Sequence, residues 1–300
     1  MKRILLAANP HAGLGRGRKV LARSLRILQQ RGVAAEVLIS ECEGHLLRAL
    51  PRRLLEGWDQ IVALGGDGTL FQVINCCLQQ PGFDTPLALI PAGTGNSFAR
   101  ELAGAALPAA WEGILSGEPT RIDVLHCLPQ TPAPDFPAGY YCLTALGLGF
   151  VSDVTRNALH FKRFGVLAYV LAVMKSLAKL TAAHLRLQLD GRLIEREGVF
   201  VIVCNSRFAG GLMKIAPGAR LDDGLMEVLV LHKVNRRTLL RAFPSVFKGT
   251  HVHHPNLEIF SGRSLQIAAE PVQVLTPDGE VAGCTPVSVT IQPQKLPFLL

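Results

Sequence analysis

Three short apolar runs, at residues 4–8, 60–64 and 86–90, each break into a glycine-bearing turn that leads toward a helical pattern. This recurrence constrains the fold more than any other feature of the sequence. A short buried strand, a tight turn and an amphipathic helix form the repeating unit of a parallel sheet covered on both faces. Residues 19–31 place Val20, Leu21, Leu25 and Leu28 on one side of a helix that Gly32 ends, and residues 34–40 read as a further strand. Residues 44–55 form a basic amphipathic helix, 70–78 a helix, and 96–103 the start of another. Residues 1–121 are therefore expected to make one α/β domain.

The pattern then changes. Residues 129–137 are proline-rich and read as a loop. The strand-like runs 141–146, 185–189, 199–204, 226–231, 265–269 and 287–291 follow, separated mostly by turns, with one helix over about 159–180. Residues 122–300 are expected to form a mainly antiparallel β-sandwich domain, with a return of the extreme C-terminus to the first domain allowed for.

The 300 residues are 49 % hydrophobic and 18 % charged, which excludes a disordered chain. The formal net charge is +8, with a pI near 9.3, and suits phosphate, nucleic acid or anionic headgroups as partners. No basic and aromatic stripe of the nucleic-acid-binding kind is present. The seven cysteines are irregularly spaced and lack a CxxC pair, so neither a disulfide framework nor a zinc site is suggested and a reducing compartment is the simplest reading. The N-terminal apolar run is too short for a signal core and stops at Asn9-Pro10. Lys175 and Lys179 interrupt the most apolar long stretch, 164–183, so any membrane contact is expected to be peripheral.

Gly65-Gly66-Asp67-Gly68-Thr69 directly follows the apolar run 61–64. Glycines at a strand-to-helix turn let an anion approach the backbone, and the helix N-terminus supplies N–H donors and a favourable dipole. Asp67 is placed to hold Mg²⁺ indirectly or to orient a phosphate, and Thr69 offers a hydroxyl. No Lys-Ser or Lys-Thr follows, so this is not a Walker loop, and Gly13-Leu14-Gly15-Arg16-Gly17 lacks the dinucleotide-binding spacing. A second such turn, Pro91-Ala92-Gly93-Thr94-Gly95-Asn96-Ser97, follows the run 86–90. In a parallel sheet these turns open at the same edge, with the Asn9-Pro10 loop beside them, and that edge is where ligands bind.

Taken in order, Asn9-Pro10…Gly13…Gly15-Arg16, Gly65-Gly66-Asp67-Gly68-Thr69, Pro91-Ala92-Gly93-Thr94-Gly95-Asn96, Leu221-Asp222-Asp223-Gly224-Leu225-Met226 and Asp278-Gly279-Glu280 resemble the diacylglycerol kinase catalytic-domain family. The soluble bacterial lipid kinases look most similar, and sphingosine and ceramide kinases share the core. The resemblance implies an NAD kinase-like α/β domain, a β-sandwich domain, and nucleotide binding between them. It implies ATP and Mg²⁺ as cofactors, with Asn9, Ser40, Gly65, Gly66, Asp67, Gly68, Thr69 and Thr94 lining the ATP site. By the same resemblance Glu280 is the proton acceptor with Asp278 close by, and Asp67 organises Mg²⁺ and phosphates. Asp223, with carbonyls near Arg220 and Leu225, matches a second Mg²⁺ site.

The implied activity is transfer of the γ-phosphate of ATP to a diacylglycerol-like lipid, by a cytoplasmic protein in peripheral contact with an anionic membrane and without nucleic acid. A homodimer is left open. The rivals are an NAD kinase-like enzyme, which shares Gly-Gly-Asp-Gly-Thr, and a non-catalytic lipid or nucleotide sensor. Ser97 departs from the Asp that many relatives carry there, and serves equally as a helix cap. Residues 161–180, with Lys162, Arg163, Lys175 and Lys179, read as a helix packed on the β domain that also suits lipid entry. Cys76 and Cys77 read as small core residues, and His251, His253 and His254 as a solvated loop.

Overall fold

A computed structural model describes residues 2–102, 106–160 and 166–299. The chain divides into two compact units, residues 1–123 with 294–300, and residues 124–293.

In the first unit the strands are β1 (Ile4–Ala8), β2 (Ala35–Ile39), β3 (Gln60–Gly65) and β4 (Leu87–Pro91). The helices are α1 (Arg16–Gln30), α2 (His45–Leu54), α3 (Asp67–Leu78) and α4 (Leu107–Ser116). β1 lies between β2 and β3, and β4 follows β3, all in parallel. Ile4, Leu6, Ala8, Val62, Leu64 and Ile90 pack with Leu21 and Leu28 of α1 and Trp111 and Ile114 of α4. Leu5, Ala7, Ile61 and Ala63, which point the other way, are also fully buried. A strand buried on both faces has to be apolar throughout, which is why these runs show no alternation.

Two further strands bound the second unit in sequence. β5 (Thr120–Thr131) leads into it, and β14 (Cys284–Leu299) leads back, so that Phe298 and Leu299 pair in parallel with Leu87 and Ala88 of β4. Phe298 meets Phe98 edge to face at 5.2 Å. The second unit contains β6 (Tyr140–Cys142), β7 (Ala145–Gly149), α5 (Phe150–His160), α6 (Val166–Ala178), β8 (Ala183–Leu189), β9 (Arg192–Cys204), β10 (Met226–His232) and α7 (Arg236–Lys248). β11 (Leu257–Gly262), β12 (Ser264–Glu270) and β13 (Leu275–Pro277) complete it. Its pairings are antiparallel. β9 pairs with β8 through its first half and with both β10 and β7 through its second, while β12 joins β8 to β14 and β13 joins β7. β8 alternates buried Ala183, Leu185, Leu187 and Leu189 with exposed residues, as a sheet with one wet face requires.

Several sequence expectations are corrected. Residues 141–146 are two strands, because the N–H groups of Leu143, Thr144 and Ala145 turn aside to the Asp278 carboxylate. The expected loop at 129–137 begins later, since Pro129 and Thr131 still belong to β5. The helix expected over 96–103 is only a short 3₁₀ turn, Phe98–Arg100, with Ala103 outside the described residues. Asn96 adopts a left-handed φ of 53°, and the next amides bind Asp67, so no α-helix starts there. The helix expected over 159–180 is represented by α5 and α6, and Lys162 and Arg163 lie outside the described residues. His251 is not solvated; it is buried, and its Nε2 meets the Ile215 carbonyl at 2.8 Å. Cys76 and Cys77 are buried as expected, and burial pushes the Cys76 thiol up to about 12. Among the described residues no helix is long and apolar enough to cross a membrane.

Candidate active site

The turns after β1, β3 and β4 meet at the carboxyl edge of the parallel sheet. The Asn9 N–H donates to the Leu64 carbonyl (2.8 Å), and its side-chain amide reaches Thr69 Oγ1 (3.4 Å). Asn9 Oδ1 also accepts from the His11 N–H, which folds the loop back on itself. Ala92 and Gly93 donate their N–H groups to the Gly65 carbonyl at 2.7 and 3.2 Å. Ser40, at the end of β2, donates its N–H to the Ala8 carbonyl at 2.7 Å and is buried beside the same edge. Thr94 is exposed on the turn after β4.

Glycine is required where the turns touch. A Cβ on Gly93 would stand 2.5 Å from Gly66 Cα and 2.8 Å from Asn96 Oδ1. A Cβ on Gly65 would meet Thr69 Oγ1 at 2.3 Å, and one on Gly13 would meet the Ala92 carbonyl at 2.2 Å. Gly66 occupies the cap position before α3, and no side chain among the described residues caps the helix. The first intrahelical bond is Leu70 N–H to the Gly66 carbonyl, so the amides of Asp67, Gly68 and Thr69 have no partner within the helix. These amides and the helix dipole make an anion site of the kind a polyphosphate occupies. Gly93→Ala is expected to weaken binding of a polyphosphate at this turn about ten- to hundredfold, the scale of a 1–3 kcal/mol overpacking strain, without unfolding the unit. ATP titration checks it, with circular dichroism as the control.

Asp67 is held differently from a simple phosphate ligand. Its Oδ2 accepts from the Ser97 N–H (3.0 Å) and hydroxyl (3.2 Å), and its Oδ1 from the Phe98 N–H (3.4 Å). Burial raises its pKa and these bonds oppose the rise. Three donors occupy most of what a carboxylate can accept. Asp67 thus fastens α3 to the turn after β4 and fits an indirect hold on Mg²⁺. Ser97 does not cap its own turn, as its side chain serves Asp67. Two further residues shape this edge. Arg16 donates to the carbonyls of Ala92 (3.3 Å) and Gly93, and Asn96 closes its own turn through Gly93, leaving its Oδ1 buried with no hydrogen-bond partner among the described residues. Arg16 stands in the motif run, but no local pattern reveals that it grips residues 76 positions away.

In the second unit Asp278 and Glu280 share the turn after β13. Asp278 has a left-handed φ of 46° and its carboxylate is fully engaged. Its Oδ1 accepts from Thr144 N–H (2.8 Å), Thr144 hydroxyl (2.6 Å) and Ala145 N–H (3.2 Å), and its Oδ2 from Leu143 N–H (2.9 Å). Burial raises its pKa against those bonds. The Glu280 N–H closes the turn on the Pro277 carbonyl at 2.8 Å, and the residue is half-buried. The geometry separates the two acids: Asp278 builds the turn, and Glu280 is carried by it.

Asp223 accepts from the Leu225 N–H at 3.0 Å on an exposed turn, where Arg220 pairs with Asp222 at 3.1 Å. Glu227, at the start of β10, was not anticipated from sequence. Burial and the Asp223 charge raise its pKa. The Arg220, Asp223 and Leu225 group offers oxygen donors, the set a hard cation takes.

Residues 3–127 match the model of the diacylglycerol kinase catalytic domain, and residues 144–300 that of the YegS C-terminal NAD kinase beta sandwich-like domain. The chain belongs to the diacylglycerol kinase catalytic-domain family. The family's two domains thus account for the parallel α/β part and the β-sandwich part of this chain. Diacylglycerol kinase of Bacillus subtilis strain 168 is 28 % identical over 288 residues, covering 95 % of this chain and 92 % of the relative. The Staphylococcus saprophyticus diacylglycerol kinase is 27 % identical over 288 residues, with 95 % and 91 % covered. A crystal structure from Bacillus anthracis str. Sterne shares the fold with a TM-score of 0.81 at 23 % identity, over 99 % of this chain and 97 % of that one. Yeast NADH kinase shares it more distantly, with a TM-score of 0.52 at 10 % identity over 99 % and 82 %.

Proposed function

We propose that this member of the kinase family transfers the γ-phosphoryl group of ATP to the hydroxyl of diacylglycerol or a related lipid. The observation that carries the reading is the glycine-on-glycine seam of Gly66 and Gly93 beside the uncapped start of α3. In this reading the first domain binds nucleotide and the second binds lipid. The amides of Asp67, Gly68 and Thr69 receive phosphate oxygens, and Asn9, Ser40, Gly65, Gly66 and Thr94 line the nucleotide. Mg²⁺ would be held indirectly by Asp67, and a second ion by Asp223 with the Arg220 and Leu225 carbonyls. When bound, Mg²⁺ neutralises charge on the phosphate oxygens during transfer.

A lipid hydroxyl is a poor nucleophile until its proton has somewhere to go. Glu280 accepts that proton as the hydroxyl oxygen bonds to the γ-phosphorus, the bond to the bridging oxygen breaks and ADP departs. Donors fixed before the reaction stabilise the charge that spreads over the phosphoryl oxygens. Work at the cytoplasmic face of an anionic membrane agrees with the net charge of +8.

The test incubates the protein with γ-labelled ATP, Mg²⁺ and, in separate reactions, diacylglycerol, monoacylglycerol, phosphatidylglycerol, a sphingoid base and NAD. Label is expected in diacylglycerol or a close relative, and chelation of Mg²⁺ is expected to abolish it. Label in NAD alone, or in no acceptor, defeats the proposal. NAD is included because the fold also resembles yeast NADH kinase.

A further inference from the structure

α7 is an amphipathic helix with defined caps at both ends. Asn235 caps it, accepting from the Thr238 N–H (2.9 Å) and hydroxyl (3.1 Å), and Gly249 ends it with a left-handed φ of 75°. Leu239, Phe243 and Val246 face inward to the two apolar clusters formed around Ile202, Leu229, Val199 and Leu231. None of the helix is fully buried. The outward side carries Arg237, Leu240, Arg241, Pro244, Phe247 and Lys248, whose spacing of three, four, seven, ten and eleven from Arg237 keeps them on one stripe. Leu240 is 45 % exposed and Phe247 43 %.

The charge on this stripe is uncompensated. No Asp or Glu occurs between Lys233 and Leu257. Lys233, Arg236, Arg237, Arg241 and Lys248 are all exposed, and none has a side-chain hydrogen bond or ion pair with a described residue. Seven arginines elsewhere, Arg3, Arg31, Arg53, Arg121, Arg186, Arg196 and Arg220, do meet a carboxylate. Unpaired cations beside exposed Leu and Phe match a surface that is anionic outside and apolar just beneath. A nucleic acid would use the cations but leave Leu240 and Pro244 in water.

We propose that the outward face of α7 docks on an anionic phospholipid bilayer, with Arg237, Arg241 and Lys248 among the headgroup phosphates and Leu240 and Phe247 between the lipids. The orientation is that of an interfacial helix lying in the membrane plane. The inference rests on the lipid-kinase reading for its purpose, but its evidence is separate from the phosphate-binding turns. It assigns membrane contact to α7, a segment outside the helix expected at 161–180.

The test is sedimentation of the whole protein with vesicles of phosphatidylglycerol and phosphatidylcholine in equal parts, and with phosphatidylcholine alone. Binding is expected to the anionic vesicles and to weaken as salt rises. Each basic residue near such a surface contributes roughly fivefold, so R237Q/R241Q/K248Q should bind on the order of a hundredfold more weakly. L240S/F247S should lose about tenfold and keep the salt dependence. Circular dichroism confirms that both variants remain folded. The triple variant should phosphorylate a short-chain diacylglycerol, dispersed as monomer, at the parent rate while losing activity on vesicle-borne substrate. Vesicle binding unchanged in the triple variant would overturn the proposal. So would binding to homopolymeric RNA, and not to vesicles, that the same substitutions abolish. If the parent phosphorylates no lipid yet binds vesicles through α7, the kinase reading falls and the docking surface stands.

Discussion

Glu280→Gln is expected to lower turnover of a lipid acceptor by on the order of a hundredfold or more, with little change in thermal stability or in ATP affinity. The substitution keeps the shape of the side chain but removes its charge and its ability to take a proton, a function that typically contributes that factor. The Glu280 backbone closes the turn through its N–H to the Pro277 carbonyl, and that bond is unaffected by the side chain. Initial rates over a range of ATP concentrations, with a melting curve beside them, separate the outcomes. A variant with parental turnover would remove Glu280 from the mechanism. A variant with a much lower melting point would make it structural.

Asp278→Ala is expected to do the opposite. The carboxylate satisfies the N–H groups of Leu143, Thr144 and Ala145 and the Thr144 hydroxyl. Its loss leaves three amide donors in a buried place, at about 1–3 kcal/mol for each one that water does not reach. The expected destabilisation is about 3 kcal/mol or more, which lowers the melting temperature by on the order of 10 °C in a unit of this size. Activity falls with the folded fraction, and whatever remains folded should still need Glu280. Calorimetry of Asp278→Ala, of Glu280→Gln and of the pair provides the check. Equal stability in Asp278→Ala and the parent would show that the four bonds do not hold the turn. Neighbours two residues apart would thus divide the work, one fixing the backbone and the other serving chemistry.

Much of the first unit was legible because its signals are local. A run such as Ile4–Ala8, apolar at every position, has few alternatives to a strand buried on both faces, and glycines at a strand end announce a turn. What was not legible depends on distant partners. Residues 96–103 have a helical beginning by composition, yet the Ser97 and Phe98 amides are claimed by Asp67, 30 and 31 residues earlier. Asp278 reads as part of an Asp-Gly turn, and nothing near it shows that its partners lie 133 to 135 residues back. α7 escaped notice because Pro244 sits inside it and its stripe mixes Leu and Phe with Arg and Lys. α4 escaped because its apolar side, with Trp111 and Ile114, lies in an alanine-rich stretch. His251 was misjudged for a related reason, as its burial depends on the Ile215 carbonyl, 36 residues away.

β14 carries a consequence for biosynthesis. Phe298 and Leu299 pair with β4, whose other parallel neighbours in the first unit, β3, β1 and β2, were all translated before residue 92. On the ribosome the early strands therefore wait, with the β4 edge uncovered and Phe98 lacking its aromatic neighbour, through the whole synthesis of the intervening β-rich segment. An exposed strand edge of that kind is open to pairing with a neighbouring nascent chain. Translation tempo and holding chaperones should accordingly matter more for the yield of this protein than its final stability would suggest.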